Sequence, residues 1–269
     1  MSNRISKLRE QVDRLDVKMN EHSFVSTTGK SAVELPKAAN EAVADHVSAV
    51  DDAAVERLRA LIDEMDRRVA DTSPALGRSD TRERILEMAI GLFAQRGFEA
   101  CTVRDLADAV GIKPPGLYSH FKSKEDILSE AMLRALRGFL ADACAPTAAA
   151  GAPARLHETV RRHIIYQLEH AQLTRAHDLL LNSKSVGQFL PEAERQLLHD
   201  ARRAYYELIR ARVAAASKPV SDLDLTTSTF AILTLCDGVV NWYRPEGELT
   251  AAQVADRYWD LISLMLQIA

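Results

Sequence analysis

Residues 97–124 constrain the fold of this chain more than any other stretch. They read Gly97-Phe98-Glu99-Ala100-Cys101-Thr102-Val103-Arg104-Asp105-Leu106-Ala107-Asp108-Ala109-Val110-Gly111-Ile112-Lys113-Pro114-Pro115-Gly116-Leu117-Tyr118-Ser119-His120-Phe121-Lys122-Ser123-Lys124. Two short helices and a tight turn follow from local chemistry. The Thr102 hydroxyl can accept from the N–H three residues on, and Asp105 can reach back, which makes a capping box. Val103, Leu106, Ala107 and Val110 then fall on one face at helical spacing. Gly111 stands where a left-handed C-terminal cap is wanted. Pro114 suits the first turn of a second helix, where its missing N–H costs nothing. Leu117 and Phe121 bury that helix, while Tyr118 and His120 project elsewhere. This is a helix-turn-helix shaped for a DNA groove. Its edge is locally positive, with three lysines and no acid between Ala109 and Lys124.

Composition sets the frame around it. The 269 residues are 47% hydrophobic and 27% charged, enough for one large or two ordinary globular domains. Glycine is sparse, runs rich in Ala, Leu, Arg and Glu dominate, and no alternating strand pattern stands out, so the fold class is all-α. The three cysteines, Cys101, Cys144 and Cys236, are scattered and fit neither a metal spacing nor a disulfide framework, as expected in a reducing cytosol. The first twenty residues are polar and charged, unlike a signal peptide. No apolar run approaches the ~20 residues that span a bilayer. These features predict a cytoplasmic protein with no membrane contact. The net charge is −4, and the helix-turn-helix region itself, residues 80–126, carries −1. Phosphate contacts must then come from a few placed groups and from helix N-termini.

The chain divides into three regions. Residues 1–78 are an N-terminal helical arm with a linker, 79–126 a three-helix DNA-binding domain, and 127–269 a larger helical domain for ligand binding and dimerisation. In the arm, Ile5, Leu8, Val12, Leu15 and Met19 make a narrow heptad seam, and Val55, Leu58, Ile62, Met65 and Val69 repeat it. Between them, Asn20 to Ala39 reads as flexible linker. Isolated helices of this length are marginal in water. Each seam therefore needs a partner: the other seam, a neighbouring subunit, or the main body. The reading favoured here is coiled-coil-like pairing that adds a contact between subunits, and the alternative is a largely disordered tail with transient helices. The DNA domain's first helix begins near Asp80 and ends at Gly97. A connecting helix starts at Ser123, with Asp126 completing a second capping box. Cys144 to Pro153 is a loop. Helices are then expected over Ala154–His170, Gln172–Asn182, Pro191–Ala216, Asp222–Tyr243 and Thr250–Ile268. The last two are apolar on more than one face and so need a second partner.

Thr81-Arg82-Glu83-Arg84-Ile85-Leu86-Glu87-Met88-Ala89-Ile90-Gly91-Leu92-Phe93-Ala94-Gln95-Arg96-Gly97-Phe98, continuing through Leu117-Tyr118-Ser119-His120-Phe121-Lys122-Ser123-Lys124-Glu125, resembles the DNA-binding domain of the TetR family of transcriptional regulators over about 45 residues. One position departs: Lys113 stands where the family has a small hydroxyl residue, so the second helix lacks its N-cap. The resemblance implies a homodimeric, ligand-responsive regulator, a repressor, on a double-stranded DNA operator. It implies DNA contacts from Thr102, Arg104, Lys113, Pro114, Pro115, Gly116, Tyr118, His120, Lys122 and Lys124, with Tyr118 and Lys124 on phosphates and Lys113, Pro115, Gly116 and His120 near base edges. It also implies a dimer interface on the last two helices, including Leu235, Val239, Trp242, Tyr258, Leu261 and Met265.

A bundle holds a small molecule between helices, among apolar groups with a few polar anchors. Candidate liners are His163, Tyr166, His170, His177, Phe189, Tyr205, Tyr206 and Asn241, each of which could equally be ordinary core. His163, His170 and His177 recur every seven residues, whereas zinc ligands on one helix stand three or four apart, so no metal site is assigned. Asp178, Asp237, His177 and His199 supply titratable groups, but no nucleophile elbow, phosphate loop or paired carboxylates accompany them. No catalytic residue and no cofactor are therefore assigned, and no enzyme is expected. The segment from Asp237 to Thr250 resembles TetR members that respond to acyl-CoA thioesters. Arg161, Arg162, Arg175, Lys184, Arg202 and Arg203 could meet the phosphates, and a solvated basic face accounts for them equally. The alternatives are a multidrug-type sensor, or an oligomeric scaffold that uses the DNA module for recruitment.

Overall fold

Apolar positions at helical spacing become helices wherever the chain is described, and no strand occurs among the described residues. The computed structural model describes residues 37–71, 80–183, 186–217 and 221–268, and residues 41–269 make one compact unit. The helices are α1 (Lys37–Asp71), α2 (Asp80–Arg96), α3 (Val103–Val110), α4 (Pro114–Tyr118), α5 (Lys124–Ala143), α6 (Ala152–Glu169), α7 (Ala171–Leu181), α8 (Glu192–Ala216), α9 (Asp222–Gly238) and α10 (Ala251–Leu266). Single 3-10 turns cover Val186–Phe189 and Val239–Asn241.

The DNA domain forms as its local signals direct. α2 packs on α3 and on α5, and Ile85, Ala89, Phe93, Leu106, Leu117 and Ile127 are fully buried between them. Gly97 ends α2 with φ +83, a backbone region that side chains rarely adopt. A buried ion pair joins α2 to α5, from Arg82 to Glu130, with Nε 3.3 Å from Oε1. The same guanidinium lies 4.0 Å over the Phe121 ring and donates to the His120 carbonyl. At the start of α5, the Ser123 hydroxyl accepts from the Asp126 N–H at 3.0 Å, one half of the expected box.

In the larger domain, α6 packs on α5, α8 and α10, while α9 lies on α6 and α8. α7 turns back onto α2 and α5. The break expected between the helices Ala154–His170 and Gln172–Asn182 falls at His170, which ends α6 and begins α7 with φ −113 and ψ 31. α9 stops at Gly238, and the expected continuation to Tyr243 is a 3-10 turn followed by a loop.

The arm differs from the favoured reading. Its first seam, Ile5 to Met19, lies outside the described residues. Its second seam lies on α1, and α1 packs on the body of its own chain. Leu58 and Met65 are fully buried there, and Val55, Ile62 and Val69 pack against the same core. Charges fix the register. Asp51 meets Arg212 at 3.0 Å, Arg57 meets Glu207 at 2.9 Å, and Arg68 meets Glu194 at 3.4 Å. The partner numbers fall as α1 advances, so α1 runs antiparallel to α8. The seam was legible as a seam; its partner was not, because the matching charges lie about 150 residues away.

Candidate nucleic-acid interface and effector region

The helix-turn-helix is held from inside and leaves one polar face open. Thr102 and Asp105 form the full capping box: the Asp105 N–H donates to the Thr102 hydroxyl at 3.1 Å, and Asp105 accepts from the Thr102 N–H at 2.8 Å. The Thr102 hydroxyl, donating to the carboxylate at 2.6 Å, and the Thr102 N–H hold the Asp105 carboxyl below its usual range. Gly111 closes α3 with φ +75, and Arg84 donates to the carbonyl of Val110 at 2.9 Å. Lys113 takes the N-cap position of α4 with no side-chain bond, and Pro114 and Pro115 make its first turn. α4 ends at Tyr118.

Arg104, Lys113, Pro115, Tyr118 and Lys122 are exposed on this face, and Tyr118 keeps 54% of its surface. Pro114, Gly116 and His120 are half-buried. Thr102 is exposed, but its hydroxyl already serves the cap. Lys124 turns inward. Its ammonium donates to the carbonyls of Phe98 and Cys101, at 2.7 and 2.9 Å, and sits 4.2 Å over the Phe98 ring. At most one N–H remains for a phosphate, so Lys124 first of all ties the turn before α3 to the start of α5.

The expected effector residues do not converge on one place. His163 and Tyr166 do meet, around a residue that sequence reasoning missed. Phe139 of α5 lies edge-on to His163, Tyr166 and Tyr205, with ring centres 4.7, 5.6 and 5.1 Å away. His163 is 2% exposed. Its Nε2 lies 2.9 Å from Asp237 and its Nδ1 lies 3.0 Å from the Tyr205 hydroxyl. Both bonds are satisfied when Nε2–H donates to the carboxylate and Nδ1 accepts from the hydroxyl. Gln167, one turn on, donates to Asp237 at 3.0 Å and leaves its buried carbonyl oxygen unpartnered. Burial pushes the hydroxyls of Tyr205 and Tyr166 above their usual range. Gln167 was findable, because His163 and Gln167 are four apart on one helical face. Phe139 was not, because it comes from a distant helix.

Most of the other expected liners lie elsewhere. His177 is buried on α7 with Nε2 unpartnered. Phe189 lies at a tilt against Phe98 of the DNA domain, ring centres 4.7 Å apart, so it joins the two domains. Tyr206 packs on Phe230 at 5.0 Å. His170 is exposed, but its ring centre lies 4.3 Å from that of Tyr166 at the edge of the cluster, and Asn241 is exposed. Of the basic groups, Arg161 pairs with Asp256, Arg162 with Glu158 and Arg203 with Glu207. Arg175 donates to the Val240 carbonyl, Arg202 is exposed, and Lys184 lies outside the described residues.

The last two helices carry an apolar face open to solvent. Leu261 is 57% exposed and Leu264 75%, and Leu223, Phe230, Trp242 and Met265 are exposed beside them. Tyr258 is half-buried and accepts from the Trp242 indole at 2.9 Å, and Leu235 is half-buried against the subunit's own core. Val239 is the exception among the expected interface residues. It is fully buried inside its own subunit, on the inner side of the 3-10 turn, and cannot meet a partner. The expectation about apolar length also changes. Leu223–Asn241, with 19 residues and mean hydropathy 1.3, is long and apolar enough to cross a bilayer, and 28% of it is buried inside the subunit. Asp224 and Asp237 near its ends hide the run from a reading by eye.

Comparison with known proteins agrees with this geometry. Residues 85–131 match the family described as bacterial regulatory proteins of the tetR family, and residues 149–266 match the tetracyclin repressor-like C-terminal domain. The HTH-type transcriptional repressor KstR2 of Rhodococcus jostii (strain RHA1) is 31% identical over 194 residues, covering 69% of this chain and 91% of that protein. The structure of the ketosteroid transcriptional regulator KstR2 of Mycobacterium tuberculosis superposes with a TM-score of 0.58 at 25% identity, over 71% of this chain and 96% of that one. The TetR family regulator PfmR from Thermus thermophilus superposes with a TM-score of 0.56 at 30% identity, over 68% of this chain and 97% of that one.

Proposed function

The chain belongs to the TetR family of bacterial transcriptional regulators, and from that membership and its helix-turn-helix geometry we propose that it is a homodimeric cytoplasmic repressor that leaves its operator when an acyl-CoA-like effector binds. The observation that carries the DNA reading is the fully capped α3, the Gly111 turn and the proline-started α4, with Tyr118, Lys113 and Pro115 open on one face. α4 enters the major groove and Tyr118 holds a phosphate beside it. The open faces of α9 and α10 pair with those of a second copy, which also covers the apolar run from Leu223. Two-fold symmetry then sets two half-sites about one helical turn, ~34 Å, apart. The test is a gel shift on the chain's own promoter region, followed by sequencing of genomic fragments that the protein retains. Absence of any enriched sequence would sink the reading.

The effector reading rests on the Asp237–Thr250 segment and on the cluster around Phe139. Phe139 sits on the helix that leads to the DNA domain, so a ligand that displaces it moves α5. A nearly complete switch needs a difference in affinity of roughly 5 kcal/mol between the two arrangements. Gln167's free carbonyl oxygen is a polar anchor. One observation favours a second reading: Asp237 keeps 53% of its side-chain surface at the edge of an aromatic cluster, a setting that suits a cationic hydrophobe of the multidrug kind. Straight-chain and polycyclic acyl-CoAs, the matching free acids, ketosteroids and cationic drugs should be screened by thermal shift and DNA release. Release by acyl-CoAs supports the first reading, and release by cations alone supports the second.

A further inference from the structure

Both family matches begin after α1, the first at residue 85. α1 is therefore an addition to the family core, and its contacts give it a task. From Asp51 to Arg68 it spans about 26 Å at 1.5 Å per residue. Over that length it is pinned at both ends to α8 and in between to α5. Asp51 is 3% exposed and lies between Arg212 and Arg155, and Arg212 also donates to Thr159 of α6. Asp66 takes the Arg137 guanidinium of α5 in a two-pronged pair, both bonds 2.9 Å. Such forks fix orientation as well as distance.

Arg137 and Phe139 stand two residues apart on α5. One is held from outside by α1, and the other fills the cluster formed by His163, Tyr166 and Tyr205. Gly138 lies between them, where a Cβ would come 2.8 Å from the Tyr166 hydroxyl, so α5 is seated closely on α6. The charged stripe continues along α5 toward the DNA domain. Arg134 binds Glu130 at 2.7 Å and Glu83 of α2, and Glu130 holds Arg82, which donates to the His120 carbonyl just past α4.

We propose that α1 is an intramolecular strap that holds α5 in the arrangement with Phe139 seated, and that it thereby sets how readily the DNA domain is released. The proposal rests on the regulator reading above, in which the seated arrangement is the one that binds the operator. A strap of this kind acts through a population, because each bond to α5 is lost when Phe139 leaves its cluster. The exposed fork contributes a modest bias, and the buried contacts at Asp51, Leu58 and Met65 anchor its far side.

The test uses the full chain as wild type, as Asp66→Asn, as Arg137→Gln, and with the pair reversed in Asp66→Arg/Arg137→Asp. Hydrogen exchange is followed over residues 124–143, and half-saturation is measured on DNA fragments selected by the wild type. Each single variant should exchange two- to fivefold faster over α5 and need two- to fivefold more protein for half-saturation. The reversed pair should restore both. Gly138→Ala, which pushes α5 from its other face, should shift both readouts in the same direction as the single variants. Single variants that melt earlier yet match the wild type in α5 exchange and DNA binding would overturn the proposal, because α1 would then only add stability. Failure of the reversed pair to rescue would overturn it too. If the wild type selects no DNA sequence, the regulator reading fails, and the exchange arm still decides whether α1 holds α5.

Discussion

Lys113 and Lys124 show how alike two cations can look in a sequence and how differently they are used. Lys113 is exposed at the unusual, hydroxyl-free start of α4. Lys124 is tied to two carbonyls and a ring. Lys113→Ala should weaken DNA binding alike on all sequences and lower the salt slope by about one unit, with the melting temperature unchanged. Lys124→Ala should instead lower the melting temperature, and its salt slope should fall by less. Salt titrations beside thermal melts separate the two. The cysteines give a second residue-scale outcome. Burial pushes the Cys144 thiol up to about 12, and burial raises Cys101 and Cys236 as well. A raised thiol pKa means less thiolate at pH 8. The folded protein should therefore resist iodoacetamide at pH 8, and rapid labelling of Cys144 would contradict that burial.

At the scale of elements, α9 and α10 leave apolar side chains that their own subunit does not cover. Leu261 and Leu264 stand on the open side, while Val239 faces inward. Leu261→Glu should give a folded monomer on light scattering. Val239→Glu should unfold the subunit itself, because an unpaired buried charge costs several kcal/mol. A Leu261→Glu protein that remains dimeric would move the interface elsewhere. The elements were also where the sequence was most readable. Caps at Thr102 and Ser123, the Gly97 and Gly111 stops and the proline start of α4 are local chemistry, and each falls where its residues direct. The effector region was legible only in part. Its geometry depends on Phe139 of α5 reaching His163 of α6 and Tyr205 of α8, and no local rule sets such a meeting. Phe189 misled for the same reason: an aromatic in a loop reads as a pocket wall until its neighbour, Phe98, is known.

At the scale of the whole molecule, ion pairs link the described helices over an all-helical core. The DNA domain is bound to α5 by the buried Arg82–Glu130 pair, α5 to α1 by Arg137 and Asp66, and α1 to α8 by three further pairs. Five arginines, Arg57, Arg68, Arg82, Arg137 and Arg212, are engaged within this network on a chain of net charge −4, which fits recognition by shape and placed contacts over broad attraction. That account makes the operator its central claim. The most direct measurement sequences genomic fragments retained by the full chain, alongside Tyr118→Ala and Leu261→Glu. The account predicts an enriched pseudo-palindrome with half-site centres about 10 bp apart, lost with either substitution. Enrichment of an asymmetric site that the Leu261→Glu monomer retains as well as the wild type, or no enrichment at all, would contradict it.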